Sequence, residues 1–460
     1  MSIADKFKEM EKGFDLGQAV AEADRCLLCH DAPCSEGCPA DTDPATFIRK
    51  FRFKNITGAI RTIKENNILG GACGVLCPTA KLCEKACSAT GIGRPIEIGN
   101  IQRFLVEYSW GMNFKPLAVG ATQEEKIAVV GSGPAGLSCA AELAKEGFHV
   151  TVFEARPEPG GVLRYGVPSY RFDLNFLKRD IGDVKSLGIE FKCDHKVEGK
   201  AGAEKLLDQG FDSVFLAPGL WDSVRFKENK NKLEGLYSSV TFLAALRENQ
   251  FDKLASQFGG KVVAVIGGGS VAMDCVCAAA KLGASDVYLV YRRSYAQMPA
   301  ENDERVEALE EGVHFLLLNQ PVDYITDGSC VRGLKLVRTT LGAMDDSGRR
   351  KPENIEGSEW ILNAEVVIQA IGNKAEEASP EWYPNILTDA KKLIQVDEKS
   401  CKTALPGIFA GGDIVRGPDL VVNAVQDGKK AARAIKEYLK KYEEILCQKI
   451  MLIYPLIFAV

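Results

Sequence analysis

The feature that most constrains the fold is a repeated pattern: an apolar strand, a glycine-rich turn, an alanine-rich helix and a second apolar strand. The pattern covers residues 126–154 and occurs again at residues 261–293. Such units build parallel sheets with helices on both faces. Strand-like runs at residues 213–216 and 365–369 each lead into a further glycine turn. The sequence therefore predicts an α/β fold with two Rossmann-like nucleotide-binding domains, the second inserted in the first.

The first glycine loop has the spacing of a dinucleotide site. It consists of Gly131, Ser132, Gly133, Pro134, Ala135 and Gly136. Glycine is needed there because the turn is tight, the backbone must approach a pyrophosphate, and the helix expected from Leu137 must pack near the strand. Glu154 ends the next strand, 23 residues after Gly131, where its carboxylate can accept hydrogen bonds from ribose hydroxyls. The loop, the helix and the acid together predict dinucleotide binding.

The second glycine loop differs from the first at two informative places. It contains Gly267, Gly269 and Ser270, with alanine in the third glycine position, and its second strand ends in Arg292 and Arg293 instead of an acid. Arginine at that place can bind a ribose 2′-phosphate through paired hydrogen bonds, whereas a carboxylate would repel it. The pair favours NADPH over NADH; two arginines on an ordinary solvated surface are the alternative.

A third glycine motif, at residues 407–413, ends in Gly412 and Asp413 and precedes a helix expected at residues 421–439. An aspartate in this position can accept hydrogen bonds from the ribityl chain of a flavin, while the N-terminus of the helix faces the flavin ring. Together with the two nucleotide units, the motif indicates FAD in the first unit and a nicotinamide in the second.

Eight of the fifteen cysteines lie within the first 87 residues, in two closely spaced runs. The runs are Cys26-x2-Cys29-x4-Cys34-x3-Cys38-Pro39 and Cys73-x3-Cys77-Pro78-x4-Cys83-x3-Cys87. In a reducing compartment such runs indicate metal binding rather than disulfides. Soft thiolates suit iron, and a Cys-Pro ending is typical of two interlocked iron-sulfur clusters. We therefore expect a helical N-terminal domain with two clusters; structural zinc is the alternative.

Composition and charge exclude several classes of function. The chain has 57 basic and 62 acidic residues, a net charge of -5, and so has no basic surplus to attract nucleic acid. Residues 1–13 lack the apolar core of a secretory signal. The apolar stretch at residues 450–460 is far shorter than the roughly 20 residues that span a bilayer. We expect a cytoplasmic protein that binds neither nucleic acid nor a membrane.

Changes of pattern along the chain give the expected domain boundaries. We expect an iron-sulfur domain at residues 1–118, a first FAD-binding part at 119–258, an NAD(P)H-binding domain at 259–372, a second FAD-binding part at 373–445 and an apolar tail at 446–460. Within the first domain, residues 43–55 and 57–66 are helix-like. The polar stretches at residues 229–232 and 345–357 are expected to be loops.

Several short stretches carry a resemblance to a known family. They are Arg25-Cys26-Leu27-Leu28-Cys29, Asp31-Ala32-Pro33-Cys34, Gly37-Cys38-Pro39-Ala40, Cys77-Pro78-Thr79 with Leu82-Cys83, and Pro95-Ile96-Glu97-Ile98-Gly99 with Gln102-Arg103-Phe104. Over residues 19–438 the chain resembles the flavin and iron-sulfur subunit of bacterial NAD-dependent dihydropyrimidine dehydrogenase. The same module forms the N-terminal half of the single-chain dihydropyrimidine dehydrogenases and resembles the small subunit of glutamate synthase.

The resemblance implies ligands that spacing alone does not assign. One [4Fe-4S] cluster would bind to Cys26, Cys29, Cys34 and Cys87, and the other to Cys38, Cys77, Cys83 and Gln102. Cys73 is then a non-ligand, and Cys73 in place of Gln102 is the alternative. Beyond the residues given above, the resemblance implies FAD contacts at Gly160, Gly161 and Arg171 and nicotinamide contacts at Ala370, Ile371 and Gly372.

The resemblance also implies a function. Electrons would pass from NAD(P)H through FAD and the two clusters to a partner protein in a hetero-oligomer. Nothing in the sequence resembles an FMN-binding barrel, so an FMN-containing catalytic subunit would reduce uracil or thymine. The alternatives are the small subunit of glutamate synthase, a free-standing NAD(P)H:ferredoxin reductase, and a cluster-bearing structural or sensor subunit. No side chain is predicted to act as a catalytic acid or base.

Overall fold

The computed structural model describes residues 3–8, 12–112, 114–227, 233–345 and 348–453, with side chains described as far as residue 441. The chain divides into two compact units. Unit 1 contains the described residues of Met1–Glu11, Tyr165–Asp173 and Trp221–Lys374; unit 2 contains those of Lys12–Arg164, Leu174–Leu220 and Ala375–Val460. The loop predicted at residues 229–232 and the last part of the predicted apolar tail lie outside the described residues.

Unit 2 begins with a helical region. Its helices are α1 (Leu16–Asp24), α2 (Pro33–Glu36), α3 (Pro44–Arg52), α4 (Ile56–Asn66), α5 (Gly70–Leu76) and α6 (Ile98–Gly111), with 3-10 turns at Thr79–Lys81 and Ser88–Gly91. Side-chain oxygens of Asp15, Asp43 and Asn55 accept hydrogen bonds from backbone N–H groups in the first turns of α1, α3 and α4. These caps set where the helices begin. The two helices predicted in this region are confirmed.

A parallel sheet follows in unit 2. Its first strands are β1 (Lys126–Val130), β2 (His149–Phe153), β3 (Glu190–Lys192) and β4 (Ser213–Leu216), and the helices between them are α7 (Pro134–Lys145), α8 (Val162–Tyr165), α9 (Leu174–Lys185) and α10 (Gly202–Asp208). β1 pairs in parallel with β2 and β4. Helix α7 begins at Pro134, three residues earlier than predicted. Proline suits this position because it has no backbone N–H, and the N–H groups in the first turn of a helix have no partner within the helix.

Unit 1 contains a second parallel sheet and an antiparallel one. Its strands are β5 (Asp222–Ser223), β6 (Leu236–Ser238), β7 (Val262–Ile266), β8 (Asp286–Tyr291), β9 (His314–Leu317), β10 (Asn319–Asp327), β11 (Cys330–Met344), β12 (Arg350–Asn354), β13 (Trp360–Asn363), β14 (Val366–Gln369) and β15 (Asn373–Lys374). Its helices are α11 (Ser239–Arg247), α12 (Phe251–Phe258), α13 (Ser270–Lys281) and α14 (Asn302–Glu310), with 3-10 turns at Ala4–Phe7 and Tyr295–Gln297.

The parallel sheet of unit 1 has the strand order β6-β14-β7-β8-β9, and β10, β11, β12 and β13 form the antiparallel sheet. The prediction of a loop throughout residues 345–357 was wrong, because residues 350–354 form β12. This strand pairs with the far end of β11, where Thr339 lies opposite Asn354. Its side chains are mostly exposed, so its sequence lacks the apolar alternation that identifies a half-buried strand.

The chain then returns to unit 2 with α15 (Ser379–Trp382), β16 (Ile408–Ala410), α16 (Asp413–Arg416) and α17 (Val421–Ile453). β16 pairs with β4, which completes the order β16-β4-β1-β2-β3. Helix α17 starts where predicted and extends beyond its predicted end. In the part of the chain that the structure describes, no helix has both the length and the apolar composition to cross a membrane. The predicted fold class, a helical N-terminal region followed by α/β units, is confirmed.

Candidate cofactor sites

Four cysteines of unit 2 line one cavity, which we call the first cysteine cavity. They are Cys26, Cys29, Cys34 and Cys87. Between the first three, Leu28 and Ala32 adopt φ angles of 54° and 47°, a left-handed backbone that non-glycine residues seldom adopt outside functional sites. Burial, and the neighbouring thiols of Cys26 and Cys87, raise the pKa of Cys34 to about 11. Thiolates here therefore require a bound cation such as iron to offset their charge.

A second cavity of unit 2, the second cysteine cavity, is lined by Cys38, Cys73, Cys77, Cys83 and Gln102. A hydrogen bond with Cys73 and burial both raise the pKa of Cys77. The side-chain amide of Gln102 donates to the carbonyl oxygen of Gly70 over 2.6 Å, which fixes its orientation on α6. Both alternatives for the fourth ligand, Gln102 and Cys73, thus face the same cavity.

Each cysteine run contributes one cysteine to the cavity that is lined mainly by the other run. Cys38, from the first run, lines the second cavity, and Cys87, from the second run, lines the first. Within the described residues, no three His, Cys, Asp or Glu side chains converge closely enough to hold a single metal ion. The remaining walls are largely apolar, and soft donors around an apolar cavity suit an iron-sulfur cluster. The residues present in each cavity therefore fit a cluster.

The three glycines of the first loop have different roles. Gly131 has φ +99°, and a Cβ there would lie 2.2 Å from the carbonyl oxygen of Ala217. A Cβ at Gly136 would lie 1.9 Å from the carbonyl oxygen of Gly131. At Gly133 a Cβ would enter open space in front of the N-terminus of α7. The first and third glycines are required by the fold, and the second leaves room for a pyrophosphate, so the loop fits the predicted dinucleotide.

Glu154 is held directly against this loop. One carboxylate oxygen of Glu154 accepts a hydrogen bond from the backbone N–H of Ser132, over 3.0 Å, and another from the side-chain hydroxyl of Ser132. The same hydroxyl accepts from the backbone N–H of Gly160 over 3.0 Å. A Cβ at Gly161 would lie 2.6 Å from the Cα of Gly133. The structure thus brings together the loop, the acid and the Gly160–Gly161 pair.

The Gly412–Asp413 motif is tied to α17 by two residues that the sequence did not single out. The backbone N–H of Gly412, at φ +75°, donates to Asp427 over 3.0 Å, and Arg416 forms an ion pair with the same carboxylate. Burial, supported by nearby carboxylates, raises the pKa of Asp413 to about 7. Val422, in the first turn of α17, lines the second cysteine cavity. Helix α17 therefore contacts the Gly412–Asp413 motif, which we call the flavin motif, and also lines the second cysteine cavity.

In unit 1, the second glycine loop packs against the turn that follows β14. Gly267 has φ +150°, and a Cβ there would lie 2.3 Å from the carbonyl oxygen of Ala370. A Cβ at Gly269 would meet nothing closer than Pro299, at 3.6 Å, and α13 begins at Ser270. This loop also leaves room for a pyrophosphate at a helix N-terminus, beside the turn formed by Ala370, Ile371 and Gly372.

The two arginines after β8 have different environments. Arg292 is exposed, whereas Arg293 is only 4% exposed. Arg293 donates to Asp345 over 2.6 Å and to the carbonyl oxygen of Arg350 over 2.8 Å. Arg293 is thus already engaged within the protein.

Arg171 belongs to unit 1, whereas the other residues predicted to bind FAD belong to unit 2. Its guanidinium forms ion pairs with Asp274 and, over 3.1 Å, with Glu307. The adjacent Tyr170 is buried and donates to the backbone oxygen of Asp274 over 3.0 Å. Within unit 1 these contacts anchor the Tyr165–Asp173 segment to α13.

Replacing Gly133 with valine should remove FAD without unfolding the protein. The new side chain would point into open space in the ligand-free chain but would occupy the place of the pyrophosphate. We expect FAD affinity to fall by at least about tenfold, or about 1.4 kcal/mol. The measurement is the flavin released per chain, with thermal unfolding of the apoprotein as the control. Gly131→Val, which would collide with Ala217, should lower both quantities; a Gly133→Val protein with full flavin content would contradict the assignment.

Family models match both parts of the chain. Residues 3–114 match the model described as dihydropyrimidine dehydrogenase domain II, 4Fe-4S cluster, and residues 125–428 match the model of pyridine nucleotide-disulphide oxidoreductases. The chain belongs to the pyridine nucleotide-disulphide oxidoreductases. As an iron-sulfur member of that family, it is an FAD-dependent NAD(P)H oxidoreductase. The predicted enzyme class and the three kinds of cofactor, iron-sulfur, flavin and nicotinamide, are confirmed.

Individual relatives of this oxidoreductase span nearly its whole length. The glutamate synthase [NADPH] small chain of Escherichia coli K12 is 36% identical over 449 residues, which cover 95% of this chain and 94% of that protein. Subunit PreT of the NAD-dependent dihydropyrimidine dehydrogenase of Salmonella typhimurium LT2 is 35% identical and covers 94% and 97%. Subunit beta of the NADP(+)-dependent formate dehydrogenase of Moorella thermoacetica is also 35% identical and covers 89% and 60%.

Solved structures support the fold of this oxidoreductase. FprA from Mycobacterium tuberculosis, in complex with NADPH, aligns with a TM-score of 0.59 over 70% of this chain and 86% of that one, at 19% identity. Thioredoxin reductase from T. acidophilum aligns with a TM-score of 0.51 over 69% of this chain and 100% of that one, at 18% identity. At these identities the likeness concerns the fold alone.

Proposed function

We propose that this oxidoreductase is the electron-input subunit of a larger enzyme. It oxidises NADPH and delivers electrons, through FAD and two [4Fe-4S] clusters, to a partner protein that reduces an organic substrate. The observation that carries the proposal is the pair of cysteine cavities in unit 2. An enzyme that exchanged hydride only between a nicotinamide and a small molecule would have no need of them. The names of three relatives, a small chain, a subunit PreT and a subunit beta, support a hetero-oligomer.

The cofactors would supply the redox chemistry, and the protein would supply binding and orientation. When bound, the nicotinamide and flavin supply two-electron hydride chemistry and the clusters supply one-electron transfer. Gly133 and Gly269 leave the backbone open to phosphate groups, and Asp413, within the glycine-aspartate motif, would accept hydrogen bonds from the flavin's ribityl chain. The apolar walls of the cysteine cavities exclude water from the sulfur ligands, which tunes their reduction potentials. No step requires a side-chain acid or base.

The contacts of helix α17 favour the second cysteine cavity, not the first, as the one next to the flavin. Val422 contributes to the wall of that cavity, and Asp427, less than two turns later, accepts the hydrogen bond from Gly412. A single rigid helix can therefore hold the flavin motif and the second cavity at a constant separation. The first cysteine cavity has no lining residue from α17 among the described residues. We infer that it serves as the outer site, toward the partner.

For the substrate of the partner, we propose pyrimidine reduction on an FMN-containing catalytic subunit. PreT, which is named as a subunit of dihydropyrimidine dehydrogenase, matches this chain over 94% of its length. A second candidate is electron input to glutamate synthase. The relative named as its small chain is 36% identical, and its name specifies NADPH, the coenzyme that Arg292 favours at the end of β8. The named coenzyme of PreT is NAD.

The test is to purify the chain anaerobically with the proteins that co-elute with it. Oxidation of NADPH and NADH is then followed with uracil, with 2-oxoglutarate plus glutamine, and with ferredoxin as acceptors. We expect uracil-dependent oxidation that requires an FMN-containing partner. Oxidation that depends on 2-oxoglutarate and glutamine would support the second candidate instead. Ferredoxin reduction by the isolated chain, or no turnover with any acceptor, would overturn the proposal of an electron-input subunit.

A further inference from the structure

A short loop after the first cysteine run carries a buried threonine at the second cysteine cavity. Thr42 is 1% exposed and contributes to the wall of that cavity. Its two neighbours, Asp41 and Asp43, both adopt a left-handed backbone, with φ angles of 51° and 60°. Such a backbone is costly for residues other than glycine and is found mostly at functional sites. The loop is therefore a candidate for a functional role, and Thr42 is the residue that it buries.

Thr42 contacts the sulfur of Cys38 through two of its polar groups. Its backbone N–H donates to the Sγ of Cys38 over 3.5 Å, and its hydroxyl oxygen accepts from the thiol over 3.4 Å. The backbone oxygen of Cys38 also accepts a hydrogen bond from the N–H of Asp41 over 3.0 Å. Three hydrogen bonds thus hold this loop against one cysteine of the cavity.

Asn67 controls the direction of the threonine hydroxyl. The Asn67 side chain is 1% exposed, and its amide nitrogen donates to the Oγ1 of Thr42 over 3.2 Å. Its amide oxygen accepts from the backbone N–H of Leu69 over 3.0 Å. Because a backbone N–H can only donate, this bond decides which end of the amide points toward Thr42. The hydroxyl oxygen therefore accepts from Asn67 and keeps its own proton for donation.

The direction of the bond between Thr42 and Cys38 depends on the state of the sulfur. A thiol donates to the hydroxyl, whereas a thiolate bound to iron has no proton and can only accept. The Thr42 hydroxyl would then donate to the sulfur, next to the N–H that already does. Reduction adds one negative charge to a cluster, and hydrogen bonds to charged groups are the stronger ones. Donors to a sulfur ligand therefore stabilise the reduced state more than the oxidised state.

We propose that Thr42 raises the reduction potential of the second cluster by donating to the Cys38 sulfur, and that Asn67 is a positioning residue that orients the Thr42 hydroxyl. The inference rests on the proposed cluster in the second cysteine cavity and deepens it by naming two residues that tune that cluster. A higher potential makes the cluster a better acceptor of electrons from the flavin. Both residues lie outside the cysteine runs and the glycine loops.

The test is a redox titration of the holoprotein followed by electron paramagnetic resonance. The second cluster is identified by the signal that Cys83→Ala loses. Thr42→Val removes the hydroxyl and keeps the shape of the side chain and the backbone N–H. We expect the equilibrium constant for one-electron reduction of the second cluster to fall about threefold to tenfold, or about 30–60 mV toward more negative potential. Thr42→Ser, which keeps a hydroxyl, should change it less than about twofold.

Variants of Asn67 test its role. Asn67→Ala should shift the potential in the same direction by a smaller amount, because the hydroxyl remains but loses its fixed orientation. The double variant Thr42→Val with Asn67→Ala should shift the potential no further than Thr42→Val alone, since Asn67 acts through Thr42.

Two further variants control for hydroxyl loss and for folding. Thr62 is another buried threonine of unit 2, and its hydroxyl donates to the backbone oxygen of Gly58 over 3.0 Å. It is not a lining residue of either cysteine cavity, so Thr62→Val should change neither potential. Should Thr42→Val fail to retain its iron, Thr42→Ala tests the same hydroxyl with a smaller side chain. In every variant the potential of the first cluster is the internal reference.

Several outcomes would overturn the inference. They are an unchanged potential of the second cluster without the Thr42 hydroxyl, equal shifts of both clusters, and a Thr42→Ser protein that behaves as Thr42→Val does. Additive shifts in the double variant would overturn the role of Asn67. The proposed function fails on separate grounds, if the parent protein holds too little iron for two clusters or if NADPH does not reduce them. A parent with two clusters that NADPH reduces, but whose potentials do not respond to Thr42, would refute the tuning alone.

Discussion

Asp180→Ala is expected to lower the free energy of unfolding of unit 2 by about 3–5 kcal/mol, the usual cost of removing one partner of a buried ion pair. Asp180 and Lys64 are both 0% exposed, and their charged atoms are 2.6 Å apart. Burial opposes the charge on Lys64, but the carboxylates of Asp180 and Asp183 outweigh it and hold the pKa of Lys64 above its ordinary value. Without Asp180 the ammonium would remain buried with one carboxylate fewer.

The same substitution would also leave a backbone donor unpaired beside the second cysteine cavity. The second oxygen of Asp180 accepts a hydrogen bond from the N–H of Ala72 over 2.9 Å. Ala72 lies in α5, immediately before Cys73. We therefore expect Asp180→Ala to make the second cluster more labile as well as to destabilise the unit. A spectroscopic titration of cluster loss in denaturant, with the first cluster as the internal reference, would measure this effect.

The stability effect is measured by chemical denaturation with a probe in unit 2. Glu146→Ala is a matched control, since Glu146 is 51% exposed and its pair with Lys436 lies at the surface of unit 2. Surface pairs contribute about 0–1 kcal/mol. The double variant Lys64→Met with Asp180→Leu should recover much of the loss, because it removes both charges together. A loss below about 1 kcal/mol for Asp180→Ala would contradict the expectation.

Cys83→Ala should abolish electron delivery to the partner while the isolated chain still reduces a dye with NADPH. Cys83 lines the second cysteine cavity and is 8% exposed, so its removal deprives one proposed cluster of a ligand. Iron and sulfide content should fall to about half, since each cluster needs its full set of ligands. The measurements are iron per chain, the electron paramagnetic resonance of the reduced protein, and the rate with and without the partner.

Matched variants identify the other ligands. Cys34→Ala should remove the signal of the first cluster and leave that of the second. Gln102→Ala and Cys73→Ala decide the fourth ligand of the second cavity: the resemblance predicts that the glutamine variant changes the signal and the cysteine variant does not. Cys330→Ala, in unit 1, is the control and should keep all iron. If Cys83→Ala also keeps all its iron, the assignment of the second cavity is wrong.

Much of the fold could be predicted because it depends on neighbours in sequence. The strand at residues 213–216 was predicted with the bounds that the structure has, since a short apolar run before a glycine turn identifies a buried parallel strand. Gly131 and Gly136 could be identified because the turn between β1 and α7 leaves no room for a Cβ at either position. The strand β12 was missed because its exposed polar residues have no apolar pattern, and its partner β11 is what makes it a strand.

The candidate sites divide in the same way. By itself the sequence determined which local segments carry the chemistry: two cysteine runs, two glycine loops and one glycine-aspartate turn, each specified by what its own backbone must do. The tertiary structure alone decided which distant residues join them. Lys64 meets Asp180 across 116 positions, and Arg293 donates to Asp345 across 52 positions. Such pairings depend on how separate elements pack. The sequence around a charged residue does not indicate which distant residue it will pair with, so these contacts could not be predicted from local patterns.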